Sequence, residues 1–250
     1  MPDATGNQAT GPRQAGPGSE MPEVDGFRPL DSKLRPARSR LPLVQRGALV
    51  AALARTHSPL ILISAPAGAG KSTLLSQFAA ATPLPVALVQ LDEADNDPIV
   101  LLTYLALALD AVSPVDAELF PLLRVRTPPI DAQILPGLAE ALERAPSFLF
   151  VLDYAHRITS AECWRILGFI ADRLPDGCHL LMGTRTDPPL PLARLHATGR
   201  LTEYRMMDLA MTRDEAGRLL ELYGRSADCA VLDGLMLRTE GWVTGLCLAL

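Results

Sequence analysis

Residues 60–64, Leu-Ile-Leu-Ile-Ser, read as a short buried strand that breaks into Ala-Pro-Ala-Gly-Ala-Gly and resumes as an amphipathic helix opened by Lys71-Ser72. A strand, a glycine-rich turn and a helix in that order constrain the chain to an α/β architecture built around an anion site. Gly68 and Gly70 let the backbone curl so that consecutive amides converge. The amides from Ala67 through Thr73, with Ala69 between the two glycines, would surround phosphate oxygens. Lys71 would place its charge on the β- and γ-phosphates, and the Ser72 hydroxyl would ligate Mg²⁺. The positive end of the helix acts on the same anion.

The general pattern G-x-x-x-x-G-K-[ST] has one departure, Ala65 at its first position. Alanine is acceptable there if it keeps φ below zero. The competing reading is a glycine-rich turn with an incidental surface lysine. It leaves the ordered succession of strand, loop, Lys-Ser and helix unexplained.

A chain of 250 residues holds one large or two small domains, and 48% hydrophobic with 20% charged residues is a globular composition. The net charge of −5 argues against non-specific binding of the whole chain to nucleic acid or acidic membrane. Cys163, Cys178, Cys229 and Cys247 follow no metal-ligand spacing. With no secretory signal in view, they read as reduced thiols of a cytoplasmic protein. The longest apolar stretch, Ile99 to Leu109, is shorter than the ~20 residues of a membrane span and reads as a buried helix.

Residues 1–30 are roughly one-third Gly and Pro and predict a disordered tail. Lys33, Arg35, Arg38, Arg40 and Arg46 form a basic run that reads as solvated surface. Thereafter helical spacing over 47–56, 71–81, 98–110 and 131–144 alternates with apolar strands over 60–64, 86–91 and 148–152. Asp131 is the expected N-cap of the fourth helix. Thr159-Ser-Ala-Glu162 and Thr212-Arg-Asp-Glu215 read as capping boxes, with strands over 180–183 and 201–205 between the helices they open. Continuous apolar strands separated by helices predict a three-layer sandwich with a parallel sheet covered on both faces. The last residues stop inside an apolar helical pattern without a cap, so the chain reads as truncated.

A phosphate loop needs an acid from another strand to hold Mg²⁺, and Phe148-Leu-Phe-Val-Leu-Asp153 supplies Asp153. Tyr154 follows where many such ATPases carry a second acid, and a phenol with pKa near 10 is no base at neutral pH. His156 is close by and could pack or cap. Arg185, after the next strand, could reach the γ-phosphate and report its presence. Lys71, Asp153 and Arg185 are thus the candidates for any hydrolysis.

These segments together resemble one family. They are Lys33-Leu34, Leu43-Val-Gln-Arg46, residues 64–72, Leu91-Asp-Glu-Ala-Asp-Asn-Asp-Pro98, Val151-Leu-Asp-Tyr-Ala-His156, residues 184–195 and Arg238-Thr-Glu-Gly-Trp242. They are similar to the ATPase module of the large ATP-binding LuxR-type (MalT-type) regulators within the STAND signalling ATPases. The resemblance runs from about residue 33 to the end, and the family carries Ala at the position of Ala65.

The resemblance implies a P-loop NTPase domain over 31–205, then a helical lid and the start of a winged-helix-like domain over 206–250. It implies an ATP/ADP switch that self-associates with ATP and an inducer, then activates transcription. It puts Val44 and Arg46 near the adenine and starts the winged-helix part at Arg238–Trp242, folded over the nucleotide. The family's sensor domain and DNA-binding helix-turn-helix would lie beyond residue 250. Two consecutive acids are usual in the family where this chain has Asp153-Tyr154, which implies binding with slow or absent hydrolysis. A freestanding P-loop ATPase or small-molecule kinase, and a scaffold that binds no nucleotide, are the alternatives.

Overall fold

A computed structural model describes residues 28–37, 42–225 and 228–249. Of the expected tail, residues 1–27 lie outside the described residues, as do Arg38, Arg40 and Leu41 of the basic run. Residues 28–30 are ordered against the fold, with the Leu30 amide donating to the Tyr104 hydroxyl at 3.0 Å.

After a 3₁₀ turn over Asp31–Leu34 the elements follow in chain order. They are α1 (Gly47–Ala54), β1 (Leu60–Ser64), α2 (Lys71–Ala81), β2 (Val86–Gln90), α3 (Pro98–Asp110), α4 (Leu119–Leu122), α5 (Leu135–Arg144) and β3 (Leu149–Asp153). Then come α6 (Ala161–Asp172), β4 (His179–Thr184), α7 (Leu192–Ala197), β5 (Leu201–Tyr204), α8 (Met206–Leu209), α9 (Arg213–Leu222), α10 (Cys229–Thr239) and α11 (Val243–Leu248).

The five strands form one parallel sheet in the order β2-β3-β4-β1-β5. Its apolar strands divide their side chains strictly between the two faces. Leu60, Leu62, Phe150, Leu152, Leu180 and Met182 pack with α3, α5 and α6. Ile61, Ile63, Leu149, Val151 and Leu181 pack with Leu53 of α1 and Leu74, Leu75 and Phe78 of α2. The expected three layers are present. A separate small core joins Met211, Ala216, Leu219, Leu220, Leu232 and Leu246 of the C-terminal helices, and Val44 belongs to it. Among the described residues no helix is long and apolar enough to cross a membrane.

The strand order positions the site. Because β4 lies between β1 and β3, the loop after β1 and the acid at the end of β3 are two strand spacings apart, about 9–10 Å. Whatever follows β4 emerges between them.

Three expectations are corrected. Asp131 does not cap a helix; it lies inside a π-helical turn over Ile130–Ile134 and accepts from Arg165 at 2.6 Å. The box at 159–162 does not form, because Ser160 is the N-cap and accepts from the Cys163 amide. Thr159 instead donates its amide and hydroxyl to Asn96. The basic run is not all solvated surface: Lys33 and Arg46 are buried, each paired with a buried carboxylate. The box at 212–215 forms with both of its reciprocal bonds.

Candidate functional site

The loop leaves β1 at Ser64 and enters α2 at Lys71. Gly68 and Gly70 take the left-handed conformation, at φ +75° and +86°, which reverses the chain within six residues. Ala65 has no positive φ, as its place in the motif requires, and donates its amide to the Thr184 carbonyl of β4 at 3.3 Å. The Lys71 ammonium folds back along the loop, donating to the Ala65 carbonyl at 2.6 Å and the Pro66 carbonyl at 2.8 Å. Ala69 is buried beneath the turn, while Ser72 and Thr73 are half-buried in the first turn of α2.

Asp153 ends β3 with 5% exposure. Its carboxylate accepts from the Ser72 hydroxyl and, at 2.8 Å on Oδ1, from the Tyr154 amide. Tyr154 itself is left-handed, at φ 61° and ψ 31°. Gly183 of β4 makes the room: a Cβ there would lie 2.9 Å from Asp153 Oδ1 and 2.7 Å from Leu75.

Burial disfavours the charged form of both ionisable groups at the loop. Burial pushes the Asp153 carboxyl above the ordinary carboxylate range, against the pull of Ser72, Tyr154 and Lys71. Burial also pulls Lys71 below its ordinary value, and the nearby Arg185 lowers it further. Arg185 itself is exposed at the end of β4, between loop and acid. Both ring nitrogens of His156 are buried without a partner, and burial with Arg185, Arg157 and Lys71 lowers its pKa to about 4. Its ring meets that of Tyr154 edge-on at 6.2 Å.

Val44 and Arg46 are held against the C-terminal helices. Val44 packs in the C-terminal helical core, and Arg46 pairs with Glu215 at 3.1 Å. Residue-type reasoning from the loop alone missed the groups that cover it. Trp242 Nε1 donates to the Ala67 carbonyl at 3.2 Å, and Thr244 donates its amide and hydroxyl to the Gly68 carbonyl at 3.2 and 3.1 Å. A Cβ on Gly68 would come within 2.1 Å of Thr244 Oγ1, so this glycine answers to sterics as well as to φ.

The acidic run 92–97 also acquires a use. Asp92 and Asp95 form a reciprocal box around a 3₁₀ turn, and Asp97 caps α3 through the amides of Ile99 and Val100. Asn96 donates to the Arg157 carbonyl at 2.9 Å and accepts from the Ser160 amide at 2.8 Å, tying the turn after β3 in place. Among the described residues no cluster of three or more His, Cys, Asp and Glu side chains is placed to hold a metal ion. A Ser hydroxyl and one carboxylate do suit Mg²⁺, which keeps most of its other positions for water and phosphate.

Fold and loop together define the class, a P-loop ATPase domain. No protein-family model matches the chain. It is 31% identical over 228 residues to the serine/threonine-protein kinase PknK of Mycobacterium tuberculosis, a match covering 87% of this chain and 20% of that protein. It is 30% identical over 225 residues to the HTH-type transcriptional regulator MalT of Yersinia enterocolitica, covering 87% of this chain and 24% of the regulator. Among solved structures it resembles a Signal Transduction ATPase with Numerous Domains that carries a tetratricopeptide repeat sensor, from Pyrococcus horikoshii. The TM-score is 0.55 at 17% identity, over 84% of this chain and 30% of that one. The chain is thus similar to the P-loop ATPase module of MalT-like proteins, and it spans less than a quarter of the length of these curated relatives.

Proposed function

We propose that the chain is an ATP/ADP-binding switch module of a MalT-like transcriptional regulator, with slow or absent hydrolysis. DNA binding would then belong to a helix-turn-helix outside residues 1–250, and ATP would promote self-association.

One observation carries this reading: a buried lysine and a buried aspartate at one site, each with its charged form disfavoured, joined through Ser72. A magnesium–phosphate group offsets both costs at once, its anion beside Lys71 and its cation between Ser72 and Asp153. The amides of Ala67, Gly68, Ala69, Gly70, Lys71, Ser72 and Thr73 would hold the phosphates, Arg185 would meet the γ-phosphate, and the Val44–Arg46 strap would flank the adenine. Slow hydrolysis follows from the side chains around Asp153. Tyr154 is no base, and a histidine with a pKa of about 4 accepts a proton from water poorly.

Titration calorimetry with ATP and ADP in Mg²⁺ tests the binding. Lys71→Ala removes charge-assisted hydrogen bonds worth roughly 1.5–3 kcal/mol each and should weaken affinity about 10- to 100-fold. Unaltered affinity in that variant would refute the site. Steady turnover near the ~10 s⁻¹ typical of enzymes would favour a freestanding ATPase instead.

A further inference from the structure

Arg46 is 4% exposed, and its guanidinium is held by Glu215, Leu209 and Ala210. Nε donates to Glu215 Oε1 at 3.1 Å, and Nη2 donates to the carbonyls of Leu209 at 2.9 Å and Ala210 at 3.1 Å. Leu209 and Ala210 end α8, where the chain leaves the sheet layer for the C-terminal helices. Glu215 Oε2 meanwhile accepts from the Thr212 amide, so one carboxylate caps α9 and holds Arg46.

The backbone of Arg46 is fixed on the other side. Its amide donates to Gln77 Oε1 at 2.8 Å, and Gln77 Nε2 donates to the Val44 carbonyl at 2.9 Å. Gln77 sits on α2, the helix that begins at the phosphate loop. Arg46 therefore bridges that helix and the pivot of the C-terminal helices.

From the pivot a continuous path leads to the loop. The Met211 amide donates to the Gly241 carbonyl at 2.8 Å, and a Cβ on Gly241 would lie 2.6 Å from the Met211 carbonyl oxygen. Trp242 follows directly and donates to Ala67, and Thr244 donates to Gly68. We propose that Arg46 is a positioning residue: its guanidinium clamps the pivot at Leu209–Ala210, seats Trp242 and Thr244 on the phosphate loop, and so sets the nucleotide's residence time through its bonds to the helices rather than to the nucleotide. Nε and Nη2 of the guanidinium are engaged with the helices, which leaves Val44 and the backbone of the strap to flank the adenine. The claim about residence time rests on the proposed nucleotide site; the clamp itself does not.

Hydrogen–deuterium exchange across residues 241–246 of the unliganded 250-residue chain tests the clamp, and dissociation of a fluorescent ADP analogue tests its consequence. Arg46→Lys keeps the charge but cannot span three acceptors, and Glu215→Gln keeps an acceptor for the cap but loses the charge. Each should raise exchange at 241–246 while β1 and β4 stay protected. Each should also speed ADP dissociation about tenfold with little change in association. Where Trp242→Phe and Thr244→Val already remove the side-chain contacts, Arg46→Lys should add less than about twofold.

Unchanged exchange at 241–246 in both single variants overturns the clamp. So does a full tenfold effect of Arg46→Lys in the contact-free background, because it means the guanidinium meets the nucleotide. If Arg46→Lys exposes β1 as well, Glu215→Gln decides. Failure of the unaltered chain to bind the analogue would overturn the nucleotide site, and the exchange measurement would still judge the clamp.

Discussion

Lys33 donates to Asp95 across 2.5 Å, joining the 3₁₀ turn over Asp31–Leu34 to the segment that follows β2. The ammonium also reaches Asp92 at 3.0 Å and lies 4.2 Å from the centre of the Tyr104 ring. Asp95 is fully buried. Removing one member of a buried pair leaves the other charge without compensation. Lys33→Met should lower unfolding free energy by about 3 kcal/mol in urea titrations. Adding Asp95→Leu should restore much of that; a double variant no more stable than Lys33→Met would refute the pairing as the cause.

Asp153 should be destabilising in the nucleotide-free protein. Its folded pKa is raised, so its stability contribution is complete below the unfolded value of 3.8 and is lost as pH rises through the folded one. At neutral pH the buried charge is a net cost. Asp153→Asn keeps an oxygen for the Tyr154 amide and should gain about 1 kcal/mol by thermal unfolding, while losing Mg²⁺-dependent nucleotide affinity. A destabilised variant would contradict this account of the site.

His156 gives the opposite dependence. Its folded pKa of about 4 lies below the ordinary 6.5, so its contribution is present above pH 6.5 and is lost as pH falls towards 4. Melting temperatures of the wild type and His156→Asn, compared through that window, should converge towards acid. Asp95 and Asp153 shift the other way in both proteins, and the difference cancels them. Parallel curves would show that the ring is not held neutral.

Gly68→Ala faces two obstacles. A left-handed alanine costs about 1–2 kcal/mol, and its methyl would collide with Thr244. The variant should lift the C-terminal segment from the loop, seen as a red shift in Trp242 emission in a Trp164→Phe background. Adding Thr244→Ala should recover part of the contact. An unshifted spectrum in the single variant would mean that Thr244 is not held there.

The sheet was legible because its strands are continuous apolar runs, and the loop because phosphate chemistry prescribes its letters. Asp153 was legible as an acid at a strand end. The pairings Lys33–Asp95 and Arg46–Glu215 were not, since they span 62 and 169 residues and nothing local marks a basic side chain for burial. Asp131 and Thr159 misled for a related reason: both had local capping spacing, yet tertiary partners on Arg165 and Asn96 took their oxygens. Trp242 and Thr244 could be placed on the loop by resemblance only in outline, because the bonds run from side chains and an amide to bare carbonyls.

The left-handed backbone at Tyr154 has an evolutionary consequence. Tyrosine gains nothing from that conformation, whereas aspartate and asparagine are the side chains that best tolerate it. In the genetic code a tyrosine codon becomes an aspartate codon by one base change. The main chain is already shaped for a second carboxylate beside Asp153, so a single point mutation separates this sequence from the two-acid form.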